Sequence, residues 1–182
     1  MRILAIDPSF TSGWVIVDNC DLKTTIVAHG FEDVSKSKHK YNSIGVWVSQ
    51  ICRKYNVDHV IVESQFYKSM YTILGAIFSG VEPFITSSGD TIAPIVLNEK
   101  SLSKEAREQK RVSATRYEFD YGQIRKILFN YAKVEKEPTQ LALSKYFPEV
   151  LTYKLDESDA LALVLAYLTI EKKTDLVFEQ LR

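Results

Sequence analysis

LDESDALA at Leu155–Ala162, running on into the apolar LVLAYL at Leu163–Leu168, reads as one helix whose charge is confined to its first turn. Residues three apart share a helical face at roughly 100° per residue, so Asp156 and Asp159 point the same way. Leu161, Leu163, Val164, Leu165, Tyr167 and Leu168 cover most of the circumference, which predicts a helix sunk in the core of something larger. Charges at the start of such a helix have to be answered. One answer is a divalent metal, and the other is ordinary capping, with Asp156 as N-cap and Asp159 at the third helical position.

Working outward, the N-terminal end supplies a second acidic position. Arg2–Ile6 is a short apolar strand stopped by Asp7 and Pro8, and Ser9–Gly13 forms the turn after it. Trp14–Val17 and Leu22–His29 complete a three-stranded meander. Tyr41–Tyr55 carries Ile44, Val48, Ile51 and Tyr55 at helical spacing, and His59–Val62 is a short, largely apolar strand ending at Glu63. In open α/β sheets, function collects at the carboxyl ends of neighbouring strands, where Asp7 and Glu63 both fall. Solvent-exposed loop acids are the alternative.

The remaining chain reads as follows. A helix over Gln65–Val81 has a wide stripe of Tyr67, Met70, Tyr71, Leu74, Ile77, Phe78 and Val81, either core or, given its aromatics, a subunit interface. Thr91–Leu97 is a strand that Pro94 places at a sheet edge. Asn98–Arg116 is basic without a clear apolar face, a loop or a mobile helical lid. Tyr121–Tyr131 is a helix with Ile124, Ile127, Leu128 and Tyr131 inward. Pro138 begins a short helix that Pro148 ends near Phe147, and the chain from Lys172 onward is a surface tail or a last short helix.

The totals bound the function. At 182 residues the chain fits a single α/β domain over residues 1–182. No apolar run approaches the ~20 residues of a bilayer span and the N-terminus has no signal-peptide pattern, so a cytoplasmic protein is expected. Cys20 and Cys52 form no metal or disulfide pattern. Lys and Arg number 23 against 23 Asp and Glu, a neutral balance unlike that of an extended nucleic-acid binder. Two local basic knots remain, Lys100–Arg116 and Lys36–Lys40; each is either a solvated face or a phosphate-contacting patch.

Three motifs in this order, ILAIDPS at 3–9 with GWVIVD at 13–18, IVESQF at 61–66, and DESDALALVLAY at 156–167, resemble the RuvC family of Holliday junction resolvases, phage and bacterial type, within the RNase H-like superfamily. The resemblance covers nearly the whole chain. It implies an α/β, RNase H-like fold: a mixed five-stranded sheet, an antiparallel meander followed by parallel strands, flanked by helices. It also implies a structure-specific endodeoxyribonuclease that resolves four-way and related branched DNA. Two Mg²⁺ ions, for which Mn²⁺ substitutes, would be held by Asp7, Glu63, Asp156 and Asp159. Such hard cations take oxygen ligands, and a pair about 4 Å apart clamps the attacking and leaving oxygens of one phosphorus.

By the same resemblance, Phe66 occupies the place of an aromatic wedge at the crossover, with a core Phe as its plain alternative. Lys104, Lys110, Arg111 and Lys126 are the candidate phosphate contacts. Ser9 departs from the family's usual glycine after the Asp-Pro pair, which opens the path of that turn and offers a hydroxyl to a metal. Two-fold symmetric junctions call for a homodimer, with the 65–81 helix as its expected interface. Two rival readings are a non-catalytic junction-binding or regulatory module of the same fold, and an actin-like ATP-binding protein. The latter needs a second, Gly-rich phosphate loop that is lacking here.

Overall fold

A computed structural model describes residues 1–63, 68–81, 95–97, 121–178 and 180. Among these residues five strands, β1 (Arg2–Asp7), β2 (Thr11–Cys20), β3 (Lys23–Asp33), β4 (His59–Glu63) and β5 (Ile95–Leu97), form one sheet in the order β3-β2-β1-β4-β5. The first three are antiparallel neighbours, whereas β4 runs parallel to both β1 and β5. This is the expected meander followed by parallel strands, with β5 at an edge.

The helices are α1 (Lys40–Tyr55), α2 (Lys68–Val81), α3 (Tyr121–Phe129), α4 (Lys136–Ser144) and α5 (Leu155–Ile170), with a 3-10 turn at Pro148–Thr152. Period-two alternation divides the strands between two cores. Leu4, Ile6, Trp14, Ile16, Val60 and Val62 pack with Ile44, Trp47, Val48, Ile73, Leu74 and Ile77 of α1 and α2. Ile3, Ala5, Val15, Val17 and Ile61 face the other way, onto Leu128, Phe129 and the apolar length of α5. Every residue of α5 from Glu157 to Leu168 is buried, as its unbroken apolar circumference requires.

Several boundaries differ from the sequence reading. β2 and β3 are longer, because Asp21 and Leu22 take φ values of 49° and 68° and close a two-residue turn that keeps Cys20 paired with Lys23. α3 stops at Phe129, where Asn130 turns left-handed at φ 57°, so Tyr131 lies outside the helix and is exposed rather than inward. Pro138 does not open α4: the helix starts two residues earlier at Lys136, and Pro138 sits in the first turn, where no amide donor is missed. The stripe residues Leu74, Ile77 and Val81 are core within the chain. The 98–116 stretch and the aromatic side chains of Tyr67, Tyr71 and Phe78 lie outside the described residues.

Candidate metal centre

Strand parity decides where the first two acids go. Asp7 continues the Ile3, Ala5 series and Glu63 follows Ile61, so both emerge on the α5 side of the sheet. The parallel register setting Ile6 opposite Val62 brings their strand ends together. Both are buried, at 8% and 3% exposure.

The other two acids arrive because α5 starts directly over this edge. Gly13 pairs with Asp7 across β1 and β2, and a Cβ built on it would fall 2.2 Å from the carbonyl carbon of Asp156. Only a residue without a side chain lets the first turn of α5 come so close. Capping is done by neither aspartate. The N-cap is Lys154, whose amide donates to Glu157 Oε2 at 2.6 Å, leaving Asp156 at the second helical position and Asp159 at the fifth. Glu157 also meets His29 Nδ1 at 2.8 Å, and that ring stacks on Tyr153. With the cap supplied by Glu157, both aspartates face the sheet edge.

Asp7, Asp156 and Asp159 each place a carboxylate oxygen within 4.8 Å of the other two. Two cations answer them. Lys136 Nζ, from the first turn of α4, lies 2.7 Å from Asp156 Oδ1, 2.7 Å from Asp159 Oδ2 and 3.8 Å from Asp7 Oδ2. The first contact is a hydrogen bond; the second lacks the alignment of one and acts as an ion pair. Arg125 of α3, fully buried, donates through Nη2 to Asp159 Oδ1 and stacks on the Tyr121 ring, 3.4 Å from its centroid. Its Nε and Nη1 donors are buried without hydrogen-bond partners among the described residues. Gln140 Nε2 bonds Ser158 Oγ at 3.0 Å, locking α4 to the start of α5.

The electrostatics follow from crowding. Burial first, then the charges of Asp159 and Asp156, raise the Asp7 carboxyl to about 7 despite Lys136 and Arg125. Burial, with Asp7 and Asp159 beside it, raises Glu63 well above the usual carboxylate range. Burial alone would lower the Lys136 ammonium, but its contacts with Asp156 and Asp159 hold it above its ordinary value. With Asp7 and Glu63 ionised, the four acids would outnumber the two cations among the described residues, and a divalent cation would neutralise that surplus and draw their protons off. The donor set is all oxygen, matching a hard ion such as Mg²⁺. Asp156, with a side chain 32% exposed, keeps one side open to solvent.

Of the other sequence-derived candidates, Phe66, Lys104, Lys110 and Arg111 lie outside the described residues. Lys126 is exposed on α3; its neighbour Arg125 is the residue that turns into the acidic centre. Ser9 Oγ closes its own turn, accepting from the Thr11 amide at 2.8 Å. Sequence reasoning passed over Arg125 and Lys136. A signal for Arg125 existed, since it stands three and four positions before the inward Leu128 and Phe129.

No protein-family model and no curated protein matches the sequence. Solved structures do. Thermus thermophilus RuvC superposes with a TM-score of 0.65 at 17% identity, over 94% of this chain and 96% of that one. The fold is that of RuvC. T. thermophilus RuvC bound to a Holliday junction substrate matches over the same shares of the two chains, with a TM-score of 0.62 and 17% identity. The RuvC fold thus accounts for the order of strands and helices that carries the acids. Among the described residues no helix is long and apolar enough to cross a membrane.

Proposed function

We propose that this chain is a metal-dependent endonuclease that resolves four-way and related branched DNA junctions by paired phosphodiester hydrolysis. The observation that carries the reading is the convergence of Asp7, Asp156 and Asp159 within 4.8 Å at the carboxyl edge of β1, with Glu63 on the adjoining strand end. Asp7, Glu63, Asp156 and Asp159 would hold two Mg²⁺ ions, or Mn²⁺ in their place. When bound, such ions supply Lewis-acid stabilisation of charge on the scissile phosphate and its leaving oxygen.

The chain's own groups prepare that chemistry. Arg125 fixes the Asp159 carboxylate in orientation and keeps a buried positive charge beside the acids. Lys136 stands among the acids, and its half-exposed ammonium would be available to a phosphate oxygen if divalent cations took the carboxylates. Water attacks phosphorus and the bond to the 3′ oxygen breaks, leaving a 5′-phosphate and a 3′-hydroxyl. Phe66 is proposed as the wedge at the crossover, with Lys104, Lys110, Arg111 and Lys126 contacting the backbone. Two copies, meeting about the α2 region, would make the symmetric cuts. Thr72, Gly75 and Ser79 are the outward positions of α2 among its described side chains.

The presence of Lys136 among the acids favours one second reading, a structural ion-pair cluster in a non-catalytic junction-binding module. The deciding assay is Mg²⁺-dependent cleavage of a synthetic four-way junction, with ATP hydrolysis measured beside it. Symmetric nicks that vanish in EDTA support the nuclease; binding without cutting supports the module; ATP turnover without DNA cleavage overturns both.

A further inference from the structure

The turn that carries Asp7 also builds a second feature. Phe10 stands three residues beyond Asp7 and lines an open cavity of about 520 Å³ with Lys38, His39, Lys40, Tyr41 and Asn42. The Phe10 and Tyr41 rings lie 5.7 Å apart and tilted by 58°, and Lys40 Nζ sits 4.8 Å from the Phe10 centroid. Among the described residues no acid lines the cavity, and the Asp33 carboxylate accepts from the Ser35 amide at 2.9 Å. Its volume falls within the range of about 300–1,000 Å³ usual for small-ligand pockets.

The placement is rigid. Ser9 N donates to Ser12 Oγ, Ser12 Oγ returns a bond to Ser9 O, and Val34 N donates to Phe10 O at 2.8 Å. One tightly bonded turn therefore holds both the Asp7 carboxylate and the Phe10 ring. Three residues of chain separate their Cα atoms by at most about 11 Å. Asp7 faces α5 and Phe10 packs with the α1/α2 core, so a strand that reaches both crosses the rim of the sheet within a few nucleotides.

Resting on the nuclease reading above, we propose that this cavity takes an unpaired nucleotide of the DNA strand held at the acidic centre, its base stacked on Phe10 and Tyr41 and its phosphates met by Lys38 and Lys40. A positive groove combined with aromatic faces is the physical recipe for single-strand binding, since every base offers a π-face and every nucleotide a negative charge. Duplex DNA satisfies only half of it, because its bases are already stacked on one another. The cavity thus selects strands opened beside the cut, as at a branch point, and holds the scissile phosphate in register with Asp7.

The test uses the full-length protein and a four-way junction bearing 2-aminopurine, a base that brightens when unstacked, placed in turn at each position flanking the cut. Ca²⁺ replaces Mg²⁺ to follow binding. Wild type is expected to leave one such position quenched by aromatic stacking. Phe10→Leu, which preserves apolar packing, and Tyr41→Leu, at an exposed position, should brighten that position and weaken affinity about tenfold. Lys38→Ala and Lys40→Ala should each lower the salt slope of binding by roughly 0.7. Wild-type cutting with unchanged fluorescence and affinity in all four variants overturns the cavity assignment and leaves the nuclease standing. A reduced slope without a fluorescence change also overturns it, reducing the patch to a backbone contact. A wild type that neither binds nor cuts junctions removes the nuclease reading, and the cavity assignment with it.

Discussion

The two faces of the sheet start alike and end differently. On the α1/α2 face, Leu4, Ile6, Trp14, Ile16, Val60 and Val62 meet apolar partners along their whole length. On the α5 face the same alternation runs through Ile3, Ala5, Val15, Val17 and Ile61, then finishes in Gly13, Asp7 and Glu63 beneath the acidic first turn of α5. Along these strands the first face is a packing surface. The second spends its last layer on charge, at the rim where Asp156 remains open to solvent. One strand register can thus serve both stability and chemistry, provided that the polar layer lies at an edge and the covering helix begins there.

The contrast breaks most sharply if the acids can be neutralised without loss of cutting. Asp7→Asn and Asp156→Asn should each reduce Mg²⁺-dependent junction cleavage at least about a thousandfold, equivalent to ~4 kcal/mol of barrier. Junction binding should stay the same or tighten, because charge that repels phosphate is removed. Cleavage within tenfold of wild type in either variant would take the chemistry away from this face.

Arg125→Met tests what holds the acidic layer together. It leaves Asp159 buried beside Lys136 alone, and removing one member of a buried pair costs about 3–5 kcal/mol. Chemical denaturation should show that loss; a change under 1 kcal/mol would mean that Asp159 is protonated or solvated without its partner. For the same reason Asp159→Asn mixes catalytic and folding effects, and Asp156 is the cleaner position.

A smaller effect separates the faces by glycine. At Gly13 an added Cβ meets the Asp156 backbone at 2.2 Å, and at Gly80 it meets the Gly45 carbonyl oxygen at 2.4 Å, where α2 crosses α1. Both alanine variants should cost about 1–3 kcal/mol in stability. Only Gly13→Ala should also depress cleavage per folded molecule, because it shifts Asp156 away from Asp7. Equal residual activities would show that the approach of α5 matters for packing alone.

The weakest expected effect is in the pH dependence. Between about pH 4, the usual carboxyl range, and about 7, folded Asp7 retains a proton that the unfolded chain has released. The raised folded value means that acid favours the folded state in this window, so this contribution to stability falls as pH rises toward 7. Glu63 is raised in the same direction. Thermal melts without metal should show this trend, and Mg²⁺ should raise the midpoint more at pH 8 than at pH 5. A metal shift independent of pH would detach the ion from these carboxyls.

Much of this arrangement is legible in the residues themselves. The positions of Asp7 and Glu63 after short apolar strands, and the spacing of Asp156 and Asp159 before an all-apolar run, follow from period-two and period-3.6 patterns that act locally. The same patterns foretold the meander and the burial of α5, whereas the parallel strands were implied by the RuvC resemblance. They did not reveal that Lys154 is the N-cap and that Glu157 accepts its amide, since Asp156 offers an equally suitable capping carboxylate and only the contacts that Glu157 makes with Lys154 and His29 choose between them.

The sequence alone determined which residues line up on which face, because side-chain direction is dictated by backbone period within a single element. Tertiary structure alone decided that Arg125 and Lys136, from two other helices, enter the acidic centre, and that Gly13 makes room for α5. Those contacts join elements separated by tens of residues or more. Their distances are set by how helices dock on the sheet, and no local period encodes that.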